Sequence, residues 1–353
     1  MKKIRILVVG LGTMGISHAR AYQAIEEFEL VGLCTNRPET RHDLTTEFKS
    51  VPLFADFDNA LETLKPDAVS ICTYTETHAD YCKKALNAGA HVFCEKPLAH
   101  RIEDAQAVIE LAKQTGRALI IGYILRVHPS WTRFVELGQT LGKPLVMRMN
   151  LNQQSSGSFW DVHKRLMAST SPIVDCGVHY VDVMCQVTRS KPISVHAIGA
   201  RLTNEIPETM YNYGHLHLTF EDGSVGFYEA GWGPMISETA FFIKDMIGPK
   251  GCVSIVGSSD HDSQDHDGHT RTGSIKLHHS SLNSAGEFSK ADEHFPMANE
   301  PGHQDLCEAE QRLFLDAIVS GRDLSEHHED ALNSLRIVFA ADESVKTGKV
   351  VYL

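Results

Sequence analysis

Apolar residues in the first third of the chain form short continuous runs, and amphipathic segments separate these runs. Continuous runs of this length predict strands that are buried on both faces. They occupy residues 4–9, 30–34, 68–72, 91–94 and 118–121. The segments between them predict helices, including 77–88, which Gly89 closes, and 101–115, which Gly116 closes. This alternation predicts a doubly wound parallel sheet in a domain of residues 1–124.

The pattern changes after residue 124, where neighbouring strands become dominant. Helices are predicted at 129–141 and 173–188, with a strand at 144–152 between them. Further strands are predicted at 192–201, 210–220, 224–232, 240–247, 251–257 and 273–279, and helices at 303–320 and 329–347. Because short turns join several of these strands, they are expected to pair antiparallel. Residues 125–353 are therefore predicted to form a second, α+β domain.

A glycine-rich turn follows the first predicted strand directly. Its residues are Gly10, Leu11, Gly12, Thr13, Met14 and Gly15. In this setting Gly10 permits the tight turn, Gly12 lets the backbone approach a diphosphate, and Gly15 allows the helix to lie close to the strand. The free amides at the start of the helix favour a negatively charged group. The turn predicts dinucleotide binding through Gly10, Gly12, Thr13, Met14 and Gly15; a purely structural turn is the alternative.

Composition excludes several classes of function. The chain has 353 residues and a net charge of −12, which disfavours nucleic acid and anionic membranes as partners. Its apolar runs are shorter than the ~20 residues that span a bilayer, and the first strand begins too early for a signal peptide. Eight cysteines without a Cys-x-x-Cys pair favour reduced thiols in the cytoplasm. The histidines and aspartates of 261–269 form no compact ligand pattern, so a solvated loop is expected there and no metal.

The end of the second strand bears on the choice between NAD and NADP. An acidic residue at this point would bind the adenosine ribose hydroxyls and repel a 2′-phosphate. The chain instead has Thr35, Asn36 and Arg37, which are two neutral hydrogen-bonding residues and a cation that can pair with phosphate. NADP is therefore the preferred prediction over NAD, and a solvated loop charge is the alternative for Arg37.

Two further strands end in residues that suit a ligand site, because ligands bind at the carboxyl ends of strands in open α/β sheets. The strand at 68–72 leads into Thr73, Tyr74 and His78, and a structural role for His78 is the alternative. The strand at 91–94 leads into Glu95-Lys96-Pro97. A lysine held between a carboxylate and a rigid proline can stabilise the oxyanion of a substrate alcohol or polarise a carbonyl.

Asp175 and His179 are four residues apart in the predicted helix 173–188. Residues with this spacing lie on the same face of a helix. A carboxylate beside an imidazole can fix its tautomer and favour proton transfer. A salt bridge within the helix is the alternative for this pair.

Together these motifs resemble the glucose–fructose oxidoreductase / inositol dehydrogenase (Gfo/Idh/MocA) family. The resemblance rests on Gly-x-Gly-x-x-Gly, then Thr73-x-x-x-x-His78, Glu95-Lys96-Pro97 and Asp175-x-Gly-x-His179, in that order over nearly the whole chain. It implies a Rossmann domain followed by an α/β domain with an open antiparallel sheet. It implies that Lys96 is catalytic, that Glu95 and Pro97 shape the nicotinamide site, and that Asp175 and His179 bind substrate and transfer the proton. Tyr74 departs from the proline of many relatives.

Three other residues are candidates for contact with substrate. Tyr123 and Arg126 follow the strand at 118–121, where they line the nicotinamide or substrate pocket or pack between domains. Trp160 lies in an aromatic and polar stretch that is typical of sugar sites or of a folded surface loop. The alternating strands 210–220 and 224–232 leave one sheet face apolar, which predicts a homodimer or homotetramer through the C-terminal sheet.

The sequence thus predicts a cytoplasmic NADP- or NAD-dependent enzyme that transfers a hydride between nicotinamide and a sugar, polyol, cyclitol or related hydroxy or keto compound. Lys96, Asp175 and His179 favour an enzyme, because a protein that only binds dinucleotide does not need them. Two alternatives stay open. One is a reductase of a dihydrodiol-, imine- or biliverdin-like compound on the same fold, and the other is a regulator that binds dinucleotide without turnover.

Overall fold

The computed structural model describes residues 2–237, 243–256 and 272–353, apart from the side chain of Thr45. The chain divides into two compact units. The first unit contains Met1–Val127 and Pro301–Leu332, and the second contains His128–Glu300 and Asn333–Leu353. The chain therefore does not divide at residue 124 alone, because the segment Pro301–Leu332 packs with the N-terminal unit.

The first unit is built on a six-stranded parallel sheet with the order β3-β2-β1-β4-β5-β6. Its strands are β1 (Ile4–Val9), β2 (Phe28–Cys34), β3 (Leu53–Phe54), β4 (Ala68–Ile71), β5 (His91–Glu95) and β6 (Leu119–Gly122). Its helices are α1 (Thr13–Ala24), α2 (His42–Glu47), α3 (Phe57–Leu64), α4 (Thr75–Asn87), α5 (Ile102–Thr115) and α10 (His303–Ser320), with the start of α11 (Ser325–Thr347). The predicted doubly wound parallel sheet is confirmed.

The strand order reverses between β1 and β4, where ligands bind in folds of this kind. The continuous apolar runs explain the buried strands, since the residues of β4 and the last four residues of β1 are all buried. Phe314 and Ala317 of α10 belong to the same core cluster as Ile6 and Val8 of β1. Helix α10 thus completes the core of the Rossmann unit although it comes near the end of the chain.

The second unit is built on a nine-stranded sheet with the order β14-β13-β12-β11-β7-β10-β9-β8-β15. Its strands are β7 (Val146–Gln154), β8 (Pro192–Ala200), β9 (Tyr213–Phe220), β10 (Val225–Gly233), β11 (Lys244–Gly248), β12 (Gly251–Val256), β13 (Ser274–His279), β14 (Glu293–Pro296) and β15 (Val351–Tyr352). Its helices are α6 (Pro129–Gln139), α7 (Gly157–Leu166), α8 (Pro172–Asp175), α9 (Gly177–Thr188) and the rest of α11. The predicted pairings β9–β10 and β11–β12 are antiparallel, as expected, and β7–β10 is parallel.

Several elements differ from the predictions because they are short or lack a strong apolar pattern. The two-residue strands β3 and β15, the strand β14 and the helices α2 and α3 were not predicted. The stretch around Trp160, for which a surface loop was the alternative, forms helix α7. Among the described helices, none is both long and apolar enough to cross a membrane.

The predicted helix 173–188 is divided at Cys176 into α8 and α9. Cys176 has helical dihedral angles, but the amide of His179 donates to the carbonyl of Cys176 at 3.2 Å, which is the tighter three-residue spacing. A Cβ atom at Gly177 would lie 2.8 Å from the Tyr228 ring, so the start of α9 approaches β10 at a distance that suits only glycine. The Asp175–His179 spacing therefore crosses a junction between two helical segments.

Candidate active site

The glycine turn of the first unit has the geometry that a dinucleotide requires. Gly10 has φ +86°, and a Cβ atom there would lie 2.5 Å from the carbonyl of Cys72. A Cβ atom at Gly15 would lie 1.8 Å from the Gly10 carbonyl oxygen, so the helix start is pressed against the turn. A Cβ atom at Gly12 would meet nothing within 4 Å. Gly12 thus leaves open space at the start of α1, where helix amides attract phosphate, and the turn fits a dinucleotide.

The loop after β2 presents the residues predicted to select the cofactor. Asn36 and Arg37 are exposed and Thr35 is half-buried. Sequence reasoning missed Arg41, whose guanidinium donates to the Leu11 carbonyl of the glycine turn at 2.6 Å. Arg41 also pairs with Asp43 at 2.8 Å. The sequence shows only that an arginine follows Arg37 by four residues. Its contact with the glycine turn depends on the fold of the loop.

Histidine 78 ties together two loops at the carboxyl edge of the sheet. Its Nδ1 lies 2.8 Å from the Pro97 carbonyl oxygen, and its Nε2 lies 2.9 Å from the Thr73 carbonyl oxygen. Burial lowers the pKa of His78, while the two carbonyl contacts act in the opposite direction. Tyr74, between these loops and α4, has 71% of its surface exposed. The His78 side chain therefore holds the two loops, and Tyr74 is accessible at the same edge.

Lysine 96 stands at the end of β5, next to a buried carboxylate. The Lys96 amide donates to Glu95 Oε2 at 3.2 Å, and Glu95 Oε1 lies 2.8 Å from His18 Nε2. Burial raises the pKa of Glu95, but its interactions with His18, foremost the hydrogen bond, and with Lys96 outweigh burial and hold the pKa below its usual value. Glu95 is therefore a charged group beneath the half-buried Lys96.

One cluster within the described residues offers three metal-ligating side chains close together. It consists of His18, Cys307 and Glu310, whose ligand atoms lie within 4.8 Å of one another. Both ring nitrogens of His18 already have hydrogen-bond partners, in Glu95 at 2.8 Å and Gln311 at 2.8 Å. The His18 ring therefore belongs to a hydrogen-bonded network with Glu95 and Gln311. The residues 261–269, where no metal was predicted, lie outside the described residues.

In the second unit, α8 and α9 carry the two candidate proton-transfer residues. Asp175 is the last residue of α8, and His179 lies in the first turn of α9. Ser171 caps the N-terminus of α8, since its hydroxyl accepts from the Val174 amide at 3.1 Å. The same hydroxyl donates to Asp342 Oδ1 at 2.7 Å. Asp342 of α11 thus anchors the short helix that ends in Asp175.

Glutamine 153, which sequence reasoning did not single out, lies beside this junction. Its Oε1 accepts from the Trp232 indole at 2.9 Å and lies 3.8 Å from the Cys176 sulfur. The Cys176 sulfur is also 3.6 Å from Asp175 Oδ2. The end of β7, the end of β10 and the α8–α9 junction therefore come together in the second unit.

The three additional substrate candidates have internal partners. Tyr123 is buried, and Arg126 pairs with Asp330 of α11 at 2.8 Å. Trp160 is 6% exposed and packs in a cluster with Trp232. Its indole donates to Glu205 Oε1 at 3.3 Å. Arg126 and Trp160 thus have side-chain partners within their own units, and Tyr123 and Trp160 are both buried.

Two family models match the chain. The model described as "Oxidoreductase family, NAD-binding Rossmann fold" matches residues 4–123, and the GFO/IDH/MocA C-terminal domain matches residues 137–242. A UDP-N-acetylglucosamine 3-dehydrogenase of Acidithiobacillus ferrooxidans is 30% identical over 56% of this chain and 59% of its own length. A D-glucoside 3-dehydrogenase of Escherichia coli is 28% identical over 52% of this chain and 54% of its own length. The chain thus spans little more than half the length of these two relatives.

Other matches extend over the whole chain. A scyllo-inositol 2-dehydrogenase (NAD(+)) of Bacillus subtilis is 25% identical over 99% of this chain and 96% of its own length. The crystal structure of a Lactobacillus casei scyllo-inositol dehydrogenase with NAD(H) and scyllo-inositol has a TM-score of 0.78 at 21% identity, over 99% of both chains. The expected resemblance is confirmed, and the chain belongs to the GFO/IDH/MocA family of oxidoreductases with an NAD-binding Rossmann fold.

Proposed function

We propose that this protein is an NAD(P)-dependent dehydrogenase that oxidises a hydroxyl group of a sugar or cyclitol, or reduces the corresponding ketone. The observation that carries the proposal is Lys96, held at the end of β5 above the charged Glu95. A cation at this position can stabilise negative charge on a substrate oxygen. The relatives include a D-glucoside 3-dehydrogenase and a scyllo-inositol 2-dehydrogenase, which support the same class of substrate.

The proposal gives each of three side chains one role. Lys96 stabilises the substrate oxygen as its negative charge develops. His179 takes the hydroxyl proton in the oxidative direction and returns it in the reductive direction. Asp175 orients the substrate and the imidazole. When bound, the nicotinamide supplies the hydride acceptor or donor.

The cofactor is proposed to lie along the glycine turn, with Gly12 and the first amides of α1 at its diphosphate. We propose that NADP(H) binds at least as tightly as NAD(H), because the loop after β2 exposes Arg37 and has no acidic residue from Thr35 to Arg37. Calorimetric titration of the protein with each cofactor tests this. A preference for NAD(H) of tenfold or more, about 1.4 kcal/mol, would contradict it.

Replacement of Gly12 by alanine tests whether the turn holds the cofactor. The added methyl group meets no protein atom within 4 Å, so the fold is expected to tolerate it, while the diphosphate loses its close approach. Cofactor affinity is expected to fall by about tenfold or more. Gly302→Ala is the matched control, because Gly302 also precedes a helix of the same unit and its nearest neighbour is 3.7 Å away. Equal cofactor affinity in both variants would argue against the proposal.

Turnover is tested with NAD(P)⁺ and a panel of myo-inositol, scyllo-inositol, glucosides and simple polyols, followed through the absorbance of the reduced nicotinamide. The Lys96→Met variant is expected to bind cofactor normally and to lose turnover by at least about a hundredfold. Cofactor binding without turnover on this panel, and on ketoses in reverse, would favour the regulator instead. A folded Lys96→Met protein with normal turnover would contradict the assigned role of Lys96.

We also propose a homodimer or homotetramer that forms through the open face of the nine-stranded sheet. Three apolar residues lie side by side on this face, since Val146 pairs with both Val225 and Ile247. Their exposures of 42%, 39% and 39% are high for apolar strand residues, and Ile198 on the same sheet is 52% exposed. Burial against a second copy would remove this surface from water. Light scattering that gives a monomer mass at micromolar concentration would refute the proposal.

The location of the protein stays a prediction. We propose the cytoplasm, where scattered cysteines remain reduced, and the eight free cysteines of the structure are compatible with it. Fractionation of cells that express the tagged protein tests this, and recovery outside the cytoplasmic fraction would contradict it.

A further inference from the structure

A chain of buried polar side chains lies beneath Lys96 and connects three elements of the first unit. The Tyr22 hydroxyl of α1 donates to Gln311 Oε1 of α10 at 2.5 Å. Gln311 Nε2 lies 2.8 Å from His18 Nδ1, and His18 Nε2 lies 2.8 Å from Glu95 Oε1. His18 and Gln311 have no exposed surface. The chain ends at the Glu95 carboxylate, whose other oxygen accepts from the Lys96 amide.

The direction of each hydrogen bond in this chain follows from its first member. Because the Tyr22 hydroxyl donates to the amide oxygen of Gln311, the amide nitrogen of Gln311 faces His18 and donates to Nδ1. A nitrogen that accepts carries no proton, so the His18 proton is on Nε2. The Nε2–H group then donates to Glu95. The Gln311 amide therefore supports the same tautomer that the acceptor-only carboxylate of Glu95 requires on the other side of the ring.

The charges around the chain agree with this arrangement. Burial, and then the negative charge of Glu95, raise the pKa of Glu310 well above its usual value, whereas the pKa of Glu95 lies below its usual value. The negative charge of the cluster is therefore on Glu95, where His18 and Lys96 both face it. The titratable groups around the chain are, among the described residues, Glu95 and Lys96 at the end of β5, Cys94 of β5, Tyr22 of α1, Cys72 after β4, His78 of α4, and Cys307 and Glu310 of α10.

We propose that Gln311 is a positioning residue for Lys96: its amide fixes the His18 proton on Nε2, and His18 in turn holds the Glu95 carboxylate against the Lys96 backbone. The inference rests on the proposed function, because it assumes that the position of Lys96 matters for turnover. It goes beyond that function by assigning a role to α10, which is nearly three hundred residues away from His18 in the chain.

The first test compares two glutamines of α10. Gln311→Met keeps the length of the side chain but removes the amide that donates to His18. Gln304→Met is the matched control, because Gln304 also joins α10 to α1, through a 2.9 Å bond to the Ser17 carbonyl, and it is not part of the chain to Glu95. With NAD⁺ and scyllo-inositol as probes, kcat per folded Gln311→Met enzyme is expected to fall by about tenfold, since small displacements of a catalytic group are costly. The KM for NAD⁺ is expected to stay within about twofold in both variants, and Gln304→Met is expected to keep its kcat.

A second variant keeps the inference testable if Gln311→Met does not fold. In Gln311→Glu, an ionised carboxylate draws the proton of His18 to Nδ1, so that Nε2 no longer donates to Glu95. At lower pH, protonation of this carboxyl group restores a donor to Nδ1, so that the His18 proton returns to Nε2. The optimum of activity is therefore expected to move to lower pH by about one unit. A merely structural role for Gln311 predicts loss of folded protein without such a shift.

The ¹⁵N chemical shifts of His18 separate a failure of this inference from a failure of the proposed function, because they do not depend on turnover. The wild-type protein is expected to show a proton on Nε2 alone at neutral pH, and Gln311→Glu is expected to shift the proton towards Nδ1. A proton on Nδ1 in the wild type, or a normal kcat in folded Gln311→Met, would overturn the inference. If Lys96→Met remains active while His18 shows the expected tautomer, the proposed role of Lys96 fails and the hydrogen-bond assignment stands.

Discussion

Each of the two units has a carboxyl group that anchors candidate residues, and the pKa values of the two groups shift in opposite directions. In the first unit, interactions with His18 and Lys96 keep the pKa of the buried Glu95 below its usual value. In the second unit, burial raises the pKa of Asp342, although the hydroxyls of Ser171 and Tyr211 donate to it at 2.7 and 2.6 Å. Each carboxyl group accepts two hydrogen bonds.

The opposite pKa shifts of Glu95 and Asp342 are explained by the kind of neighbouring groups rather than by their number. The interactions with His18, and after them the charge of Lys96, favour the ionised form of Glu95. The hydroxyls that face Asp342 are neutral and compensate less for the loss of water. Glu95 therefore supplies a charge beneath a proposed catalytic cation. Asp342 supplies hydrogen-bond acceptors that anchor the start of α8, and it can do this with little charge.

The largest effect is expected at the proton-transfer residue of the second unit. His179→Ala is expected to lower the rate by about 10²–10⁴, the usual contribution of a positioned acid–base group, with nearly unchanged cofactor affinity. In the oxidative direction the wild-type rate should rise with pH as the imidazole loses its proton, and this limb should disappear in the variant. Steady-state kinetics over a range of pH measure both effects, with the exposed His294→Ala as the control. A folded variant with most of its activity would instead make His179 a structural residue.

Substitutions that remove the charge of each carboxyl group in turn test whether Glu95 and Asp342 differ in their contribution to kcat. Glu95→Gln keeps an acceptor for His18 but loses the negative charge. The kcat is expected to fall by about 10–100-fold, which corresponds to the free energy of a hydrogen bond to a charged group. Asp342→Asn keeps an acceptor for both hydroxyls, and kcat is expected to fall by less than about threefold. Kinetics normalised to folded enzyme measure the pair. Equal losses of kcat in the two variants would contradict the proposed difference between the two carboxyl groups.

The smallest effect is expected for Lys244, which is a buried lysine. Burial lowers the pKa of Lys244 to about 7. The unfolded chain therefore binds more protons than the folded protein above pH 7, so this group makes stability rise with pH. Its contribution to the free energy of unfolding should increase by about 1 kcal/mol between pH 7 and pH 8. Urea unfolding at both pH values measures this increase. It should be absent in Lys244→Met and retained in the exposed control Lys290→Met, and an unchanged increase in Lys244→Met would contradict the assignment.

The sequence by itself determined the features that depend on neighbouring residues. The apolar runs fixed the buried parallel strands, and the glycine turn could be read because Gly10, Gly12 and Gly15 act within six residues. Glu95-Lys96-Pro97 was recognisable for the same reason. Local pattern specifies which face of an element is buried and where the chain turns.

Contacts between side chains that are far apart in the chain depend on the tertiary structure and could not be predicted from the sequence. Gln311 and His18 are 293 residues apart, and Ser171 and Asp342 are 171 residues apart. No periodicity links such residues, because their contact depends on how α10 and α11 return to the sheets. The same is true of Arg41 at the glycine turn, and of Tyr123, Arg126 and Trp160, which pair or pack internally. Side-chain partners across a fold are set by topology, and a local pattern carries information only about the element that contains it.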